Sequence, residues 1–276
     1  MKKTINTAGK IVSLENPIIM GIMNITPDSF HKDSRYSPFE EDFLKKANEM
    51  VTNGADILDI GGYSTRPHAE EVSVKEELER VMPTIKILKK YYPNVIISID
   101  TFRAKVAIEA IKNGANIIND VSGGTLDHLM FDTVIKLNVP YILTHSRGNP
   151  KNMNEKAIYE DFVFDILNET FERANYLKRK GVKDIIIDPG FGFAKTLNQN
   201  YELLKNVEVF KKFDLPILIG ISRKSMLYKY LDISPEDSLN ATGQLNFLSL
   251  LKKVNILRVH DIKATKQTLQ LHKKLY

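Results

Sequence analysis

The chain has 276 residues, with 39 Lys and Arg against 34 Asp and Glu, a formal charge of +5 and no cysteine. The length suits one (β/α)₈ barrel of roughly 250 residues, and the missing thiols exclude disulfide scaffolds, zinc–thiolate sites and thiol nucleophiles. Basic residues are dispersed in short groups such as Lys45-Lys46 and Lys273-Lys274, so no nucleic-acid stripe is expected; no apolar run approaches the roughly 20 residues of a membrane span, and a soluble, cytoplasmic protein is expected.

In chain order, residues 1–15 lack the apolar stretch of a secretion signal and are expected to form a hairpin closing the lower face of a barrel. Eight short apolar runs follow, at residues 17–24 (PIIMGIMN), 56–62 (DILDIGG), 95–100 (VIISID) and 116–120 (NIIND), then 139–145 (VPYILTH), 184–190 (DIIIDPG), 216–222 (PILIGIS) and 255–260 (NILRVH). Near-continuous apolar runs fit parallel strands covered on both faces. The segments between them read as helices: 76–91, 103–113, 126–137 and 155–179. The last carries Ile158, Phe162, Ile166, Thr170, Ala174 and Leu177 on one stripe. Asn53-Gly54, Asn113-Gly114 and Lys180-Gly181 supply the glycines that end helices. With no linker-like stretch, residues 1–276 read as one domain of the α/β class, a single TIM barrel with an N-terminal extension.

In such a barrel the chemistry sits at the C-terminal ends of the strands. Here those ends carry Asn24, Asp59, Asp100, Asn119 with Asp120, His145, Asp188, Ser222-Arg223-Lys224, and Arg258 with His260. Any single Asp, Asn or Ser could be a helix cap, but capping does not account for Lys224, Arg258 or His260. Asp100, Asn119, Asp188 and Lys224 combine carboxylates, an amide and a cation, a set able to hydrogen-bond a flat heterocycle such as a 2-amino-4-oxo pyrimidine. Arg66, Arg258 and His260 suit a phosphate or diphosphate. Arg258 and His260 alternate across Val259 and so share a strand face, just ahead of a helix expected from about Lys263, whose N-terminal amides favour anions. The loops at 25–37 and 61–73 are long enough to act as lids. His145, alone at its strand end, reads as structural.

The stretches IMGIMNITPDSF (19–30), GADILDIGGYSTRP (54–67), SIDTFRAKVA (98–107), NIINDVSGG (116–124), DPGFGFAKT (188–196), GISRKSML (220–227) and LRVHD (257–261) resemble, in order, the motifs of the dihydropteroate synthase family. The resemblance runs from Pro17 to Lys274. It implies a transferase of folate biosynthesis, a sulfonamide target, that condenses 6-hydroxymethyl-7,8-dihydropterin diphosphate with p-aminobenzoate (4-aminobenzoate) and releases pyrophosphate. By the same resemblance Asp100, Asn119, Asp188 and Lys224 would bind the pterin; Asn24, Arg66, Arg258 and His260 the diphosphate, Asn24 also holding Mg²⁺. Thr65, Pro67, Phe193 and Ser222 would surround the p-aminobenzoate, and Asp100, Lys224, Arg258 and His260 would carry the catalysis. A homodimer is implied too.

Three places depart from the family pattern. The first loop reads SFHKDSR (29–35), with Lys32 where an Asp is common and Asp33 one place on; Tyr63 stands where Glu is common; and HSRG (145–148) replaces HMxG. A pterin-dependent methyltransferase would share the barrel and the carboxylates but would have no use for Arg66, Lys224, Arg258 and His260 around a leaving diphosphate. A non-catalytic pterin- or phosphate-binding homologue finds support only in the altered first loop.

Overall fold

The computed structural model describes residues 4–25, 38–63 and 71–276. Strands β1 (Thr4–Thr7) and β2 (Lys10–Ser13) pair antiparallel. Their turn places Ala8 and Gly9 at φ 53° and 89°, two successive left-handed residues as a tight hairpin requires. The Asn6 side chain accepts a bond from the Gly9 amide at 2.8 Å. The expected N-terminal hairpin is therefore present.

Eight strands form the barrel: β3 (Ile18–Asn24), β4 (Ile57–Gly61), β5 (Ile96–Asp100), β6 (Ile117–Asp120), β7 (Tyr141–Thr144), β8 (Ile185–Asp188), β9 (Leu218–Ile219) and β10 (Ile256–Val259). They run parallel in the order β8-β7-β6-β5-β4-β3-β10-β9, and a bridge between Ile187 and Ile217 closes the ring. Every apolar run expected to be a strand contains one of them.

Strand alternation divides the core in two. Inward-facing Met20, Ile57, Ile96, Ile117, Ile142, Ile186, Leu218 and Ile256 form one cluster, which Ile5 and Leu14 of the hairpin segment join from below. Outward-facing residues such as Ile19, Leu58, Ile97, Ile118, Ile187, Ile219 and Leu257 pack under the helices in a second, larger cluster. The bottom of the barrel is thus apolar and plugged. Higher up, the same inward alternation reaches Asp59, Ser98, Asn119, Asp188 and Arg258.

The helices are α1 (Pro38–Thr52), α2 (Val74–Tyr91), α3 (Ala104–Lys112), α4 (Met130–Leu137), α5 (Phe162–Arg179), α6 (Leu197–Asn206), α7 (Ser225–Leu231), α8 (Leu239–Leu251) and α9 (Ile262–Leu275). Two start later than their sequence patterns suggest. Helix α5 begins at Phe162 because Asp161 caps it, its carboxylate accepting from the Phe164 amide at 3.2 Å. Ile158 is left 78% exposed and lies off the buried stripe. Helix α4 begins at Met130, just after a turn in which Asp127 Oδ1 accepts from the Leu129 amide at 3.0 Å while Oδ2 accepts from the Ala104 amide at the start of α3 at 2.8 Å. Helices α7 and α8 fill the long connection from β9 to β10. Among the described residues no helix is long and apolar enough to cross a membrane.

Candidate active site

The polar residues of the sequence reading collect at the C-terminal mouth of the barrel, each carried there by the strand that ends beneath it. On β4, Asp59 follows Ile57 by two residues and so also points inward. One of its oxygens, Oδ2, accepts from Asn119 Nδ2 at 2.9 Å and from Arg258 Nε at 2.7 Å. The other, Oδ1, is buried with no hydrogen-bond partner among the described residues. Arg258 Nη2 reaches Asp100 Oδ2 at 2.5 Å. Four strands are tied by these bonds, and the amide of Asn119 is oriented by one of them, its Nδ2 taken and its Oδ1 left as acceptor.

Burial is the main force on this cluster. It raises Asp100 to about 7, against the Arg258 charge that favours ionisation, with Asp59, Glu77 and Asp120 pushing the same way as burial. Asp188 is likewise raised by burial, opposed by Lys224 and by its bond from the Gly190 amide at 2.7 Å. Burial lowers Lys224 to about 8, with Asp188 and Asp100 resisting and Arg258 assisting. Lys224 Nζ donates to the Phe191 carbonyl and stands 4.7 Å from the centre of the Phe193 ring. Ionisable groups with pKa values drawn toward neutrality in a concave site mark a functional centre.

A second group lies beside Lys224 and Arg258, on the segments that follow β9 and β10. Ser222 Oγ is 3.2 Å from His260 Nδ1 and accepts from the His260 amide at 3.2 Å. Between Ser222 and Lys224, Arg223 adopts φ +54°, a left-handed conformation unfavourable for a side-chain-bearing residue. Its guanidinium forms a two-pronged pair with Asp261, at 2.8 and 2.6 Å, which joins the end of β9 to the start of α9. The kink sends Ser222 and Lys224 in different directions. Asn24 is exposed at the rim, close to Gly61: a Cβ built on that glycine would lie 3.4 Å from Asn24 Oδ1 and 3.6 Å from the Asp100 Cβ.

The structure therefore brings together Asp100, Asn119, Asp188, Lys224, Arg258 and Phe193, with Ser222 and His260 paired nearby and Asn24 at the edge. Arg258, expected on phosphate, makes its bonds here to Asp59 and Asp100. Thr65, Arg66, Pro67, Lys32, Asp33 and most of both expected lid loops lie outside the described residues. Asp120 faces the helices and is structural, accepting from the Ser122 and Gly124 amides and from Tyr141 Oη.

Two of the departures from the family pattern have visible partners. Tyr63 packs edge-on against Phe102 at 5.2 Å with the Arg103 guanidinium 5.1 Å from its centroid. Arg147 of the HSRG segment pairs with Glu169 and covers the Tyr159 ring at 4.0 Å. Sequence reading passed over the linking role of Asp59, which the two-residue step from Ile57 could have signalled, and gave no role to Lys195, which lies within the DPGFGFAKT stretch. His145 is not alone: its ring lies 3.1 Å from Lys195 Nζ and 3.3 Å from a Glu169 oxygen.

Residues 20–260 match the pterin binding enzyme family. The chain is 43% identical over 251 residues to the dihydropteroate synthase of Clostridium beijerinckii, covering 90% of each chain. It is 37% identical to that of Escherichia coli over 265 residues, covering 95% of this chain and 93% of the relative. Among solved structures, Yersinia pestis dihydropteroate synthase in a sulfonamide drug complex superposes with a TM-score of 0.90 at 34% identity, over 99% of this chain and 98% of that one. Xanthomonas albilineans dihydropteroate synthase with 4-aminobenzoic acid gives 0.89 at 33% identity, over 100% and 98%. The chain belongs to the pterin-binding enzyme family and, within it, to the dihydropteroate synthases.

Proposed function

We propose that the site joins 6-hydroxymethyl-7,8-dihydropterin diphosphate to p-aminobenzoate, giving dihydropteroate and pyrophosphate. The observation that carries this reading is the convergence of Asp100, Asn119, Asp188 and Lys224, with Arg258 beside them, at the barrel mouth. Two buried carboxylates and an amide oxygen match the ring N–H groups of a pterin, and the Lys224 ammonium matches its ring acceptors. The arylamine lone pair attacks the pterin methylene carbon, the carbon–oxygen bond breaks with its electrons leaving on pyrophosphate, and the nitrogen sheds a proton. An arylamine is neutral at pH 7 and already nucleophilic, so the residues act chiefly on charge. Asp100 and Asp188 favour positive charge growing on the pterin side, while Arg66, Arg258 and His260 take up negative charge growing on the leaving group. A single preorganised donor of this kind is worth about 3–4 kcal/mol of barrier.

Magnesium fits one part of the site. Asn24 offers a single neutral oxygen at the rim, and among the described residues no group of three or more acidic or imidazole side chains is placed to hold a metal. That donor set suits an ion that brings phosphate oxygens and waters as its other ligands, and when bound it would neutralise diphosphate charge. Thr65, Pro67, Phe193 and Ser222 would form the p-aminobenzoate pocket, of which Phe193 and Ser222 flank Lys224.

Residues 1–276 would act as one domain. Exposed Leu239, Leu248 and Leu251 on α8 and Leu271 and Leu275 on α9 support a homodimer, and the absence of cysteine accords with the reducing cytoplasm. Incubation of the protein with both substrates and Mg²⁺ should release pyrophosphate only when both are present. Methyl transfer from methyltetrahydrofolate, or no turnover, would overturn the reading.

A further inference from the structure

Behind the site, a lysine that the reaction above does not use is buried in full contact with the turn that follows β8. Lys195 Nζ lies 2.9 Å from the Gly190 carbonyl, 3.0 Å from the Phe193 carbonyl and 3.1 Å from His145 Nδ1, with the His145 carbonyl at 3.4 Å. The protonation of this cluster follows from its partners. Glu169 is held ionised, at about 2, because bonds from His145 and Arg147 outweigh the burial that would raise it. Its oxygen, 3.3 Å from His145 Nε2, can only accept, so Nε2 carries the proton. Burial and Lys195 keep the imidazole neutral, lowering it to about 3, which leaves Nδ1 as an acceptor. Lys195 therefore donates to it; burial lowers Lys195 to about 7, with Asp188 resisting, and in its charged form the three hydrogens match Nδ1 and the two close carbonyls.

The turn so held touches the pterin-facing residues at several points. Gly190 donates its amide to Asp188 Oδ1 at 2.7 Å. The Phe191 carbonyl accepts from Lys224, and the Phe193 ring lies under the same ammonium. Gly190 is at φ +75°, and a Cβ there would fall 1.9 Å from the His145 carbonyl, so the chain passes too close to β7 for any other residue. The turn is strapped from outside as well: Asn200 Oδ1 accepts from the Gly192 amide at 2.7 Å and the Ala194 carbonyl accepts from Tyr159 Oη at 2.8 Å.

We propose that Lys195, seated on His145, is a positioning residue for the reaction: its ammonium fixes the turn at residues 190–193 and through it the places of the Lys224 ammonium and the Asp188 carboxylate. The inference rests on the reading that Lys224 and Asp188 hold the pterin. Charged and titratable groups facing Lys195 are Asp188, Glu169, Arg147 and Lys224, besides His145; those facing Lys224 are Asp188, Arg258 and Asp100.

The test compares Lys195→Met and Lys195→Gln with the wild type and with Lys224→Ala, by calorimetric binding of 6-hydroxymethylpterin, steady-state kinetics and thermal unfolding, all well below each variant's Tm. Met removes every donor. Gln is shorter and uncharged but keeps two N–H groups for the carbonyls, so it decides the matter if Met does not fold. Expected are a loss of pterin affinity of about tenfold or more for Met and a smaller loss for Gln. In Gln the loss should fall on KM for the pterin substrate more than on kcat. A lowered Tm with unchanged pterin affinity and an unchanged KM in a folded variant would show that Lys195 is merely structural and overturn the proposal. Normal pterin binding by Lys224→Ala would instead remove the reading of the site, and the positioning role would fall with it.

Discussion

Arg258 and Asp100 meet at 2.5 Å across the mouth of the barrel, one from β10 and the other from β5. The same guanidinium holds Asp59 on β4 at 2.7 Å. These bonds use Nε and one Nη2 hydrogen of the five guanidinium donors, so a diphosphate would meet the remaining N–H groups while both carboxylates share the same charge.

Replacement of Arg258 by Met should therefore have two separable effects. Diphosphate binding should weaken more than binding of free 6-hydroxymethylpterin, which calorimetry on the two ligands would show. Stability should also fall by about 3–5 kcal/mol, because two largely buried carboxylates lose their counter-charge. Equal losses for both ligands would mean that the arginine serves the ring or the fold alone.

The raised Asp100 makes pterin binding depend on pH. Its carboxyl titrates at about 7 in the folded protein, against an ordinary 3.8, chiefly through burial. The folded state thus holds a proton that the unfolded state has lost, and this group's contribution to stability falls as pH rises from the lower value through the higher. Binding that needs the carboxylate should do the opposite, strengthening as pH rises through about 7. Calorimetry of hydroxymethylpterin from about pH 5.5 to 8.5 should show an acid limb near neutrality. In Arg258→Met that limb should move up, since the arginine is what resists protonation.

Lys224→Ala should lower kcat/KM at least tenfold, about 1.4 kcal/mol of transition-state stabilisation. The side chain bridges the pterin carboxylates and the Phe193 ring, so both substrates should be affected. Near wild-type turnover would exclude it from the reaction.

At the other end of the barrel, Ile5→Ala should destabilise by about 2–5 kcal/mol through the cavity left in the plug. Pterin affinity of the folded variant should stay as it was, since the hairpin packs on the lower isoleucine layer and not on the polar one. Urea unfolding and calorimetry would measure the two quantities separately.

Much of this was legible because strands and their endings carry period and polarity together. All eight apolar runs became strands, and the N-terminal hairpin formed where a leftover segment suggested it. The helix starts were less visible. Asp161 stops α5 short of Ile158, and Asp127 divides its two oxygens between the entry to α4 and the start of α3; both outcomes depend on what an acidic side chain finds in space. Asp59 was visible as a strand-end residue, but its role as the joint between Asn119 and Arg258 depends on partners that are 60 and 199 residues away in the chain. Lys195 was visible as part of the stretch at 188–196, but its role was not: only folding brings His145, fifty residues earlier, against its ammonium.

The alternation along each barrel strand sets how this molecule can change. Ile57, Asp59 and Gly61 look into the barrel, while Leu58 and Ile60 sit under the helices. One inserted or deleted residue within β4 would exchange these two sets, turning a carboxylate into the helix layer and an isoleucine into the ligand space. A one-residue change in length avoids that exchange only in the connections, so stepwise change of substrate preference in this scaffold comes from altered loops or from side-chain replacement at fixed strand positions, and a strand cannot drift by a single step toward a new active site.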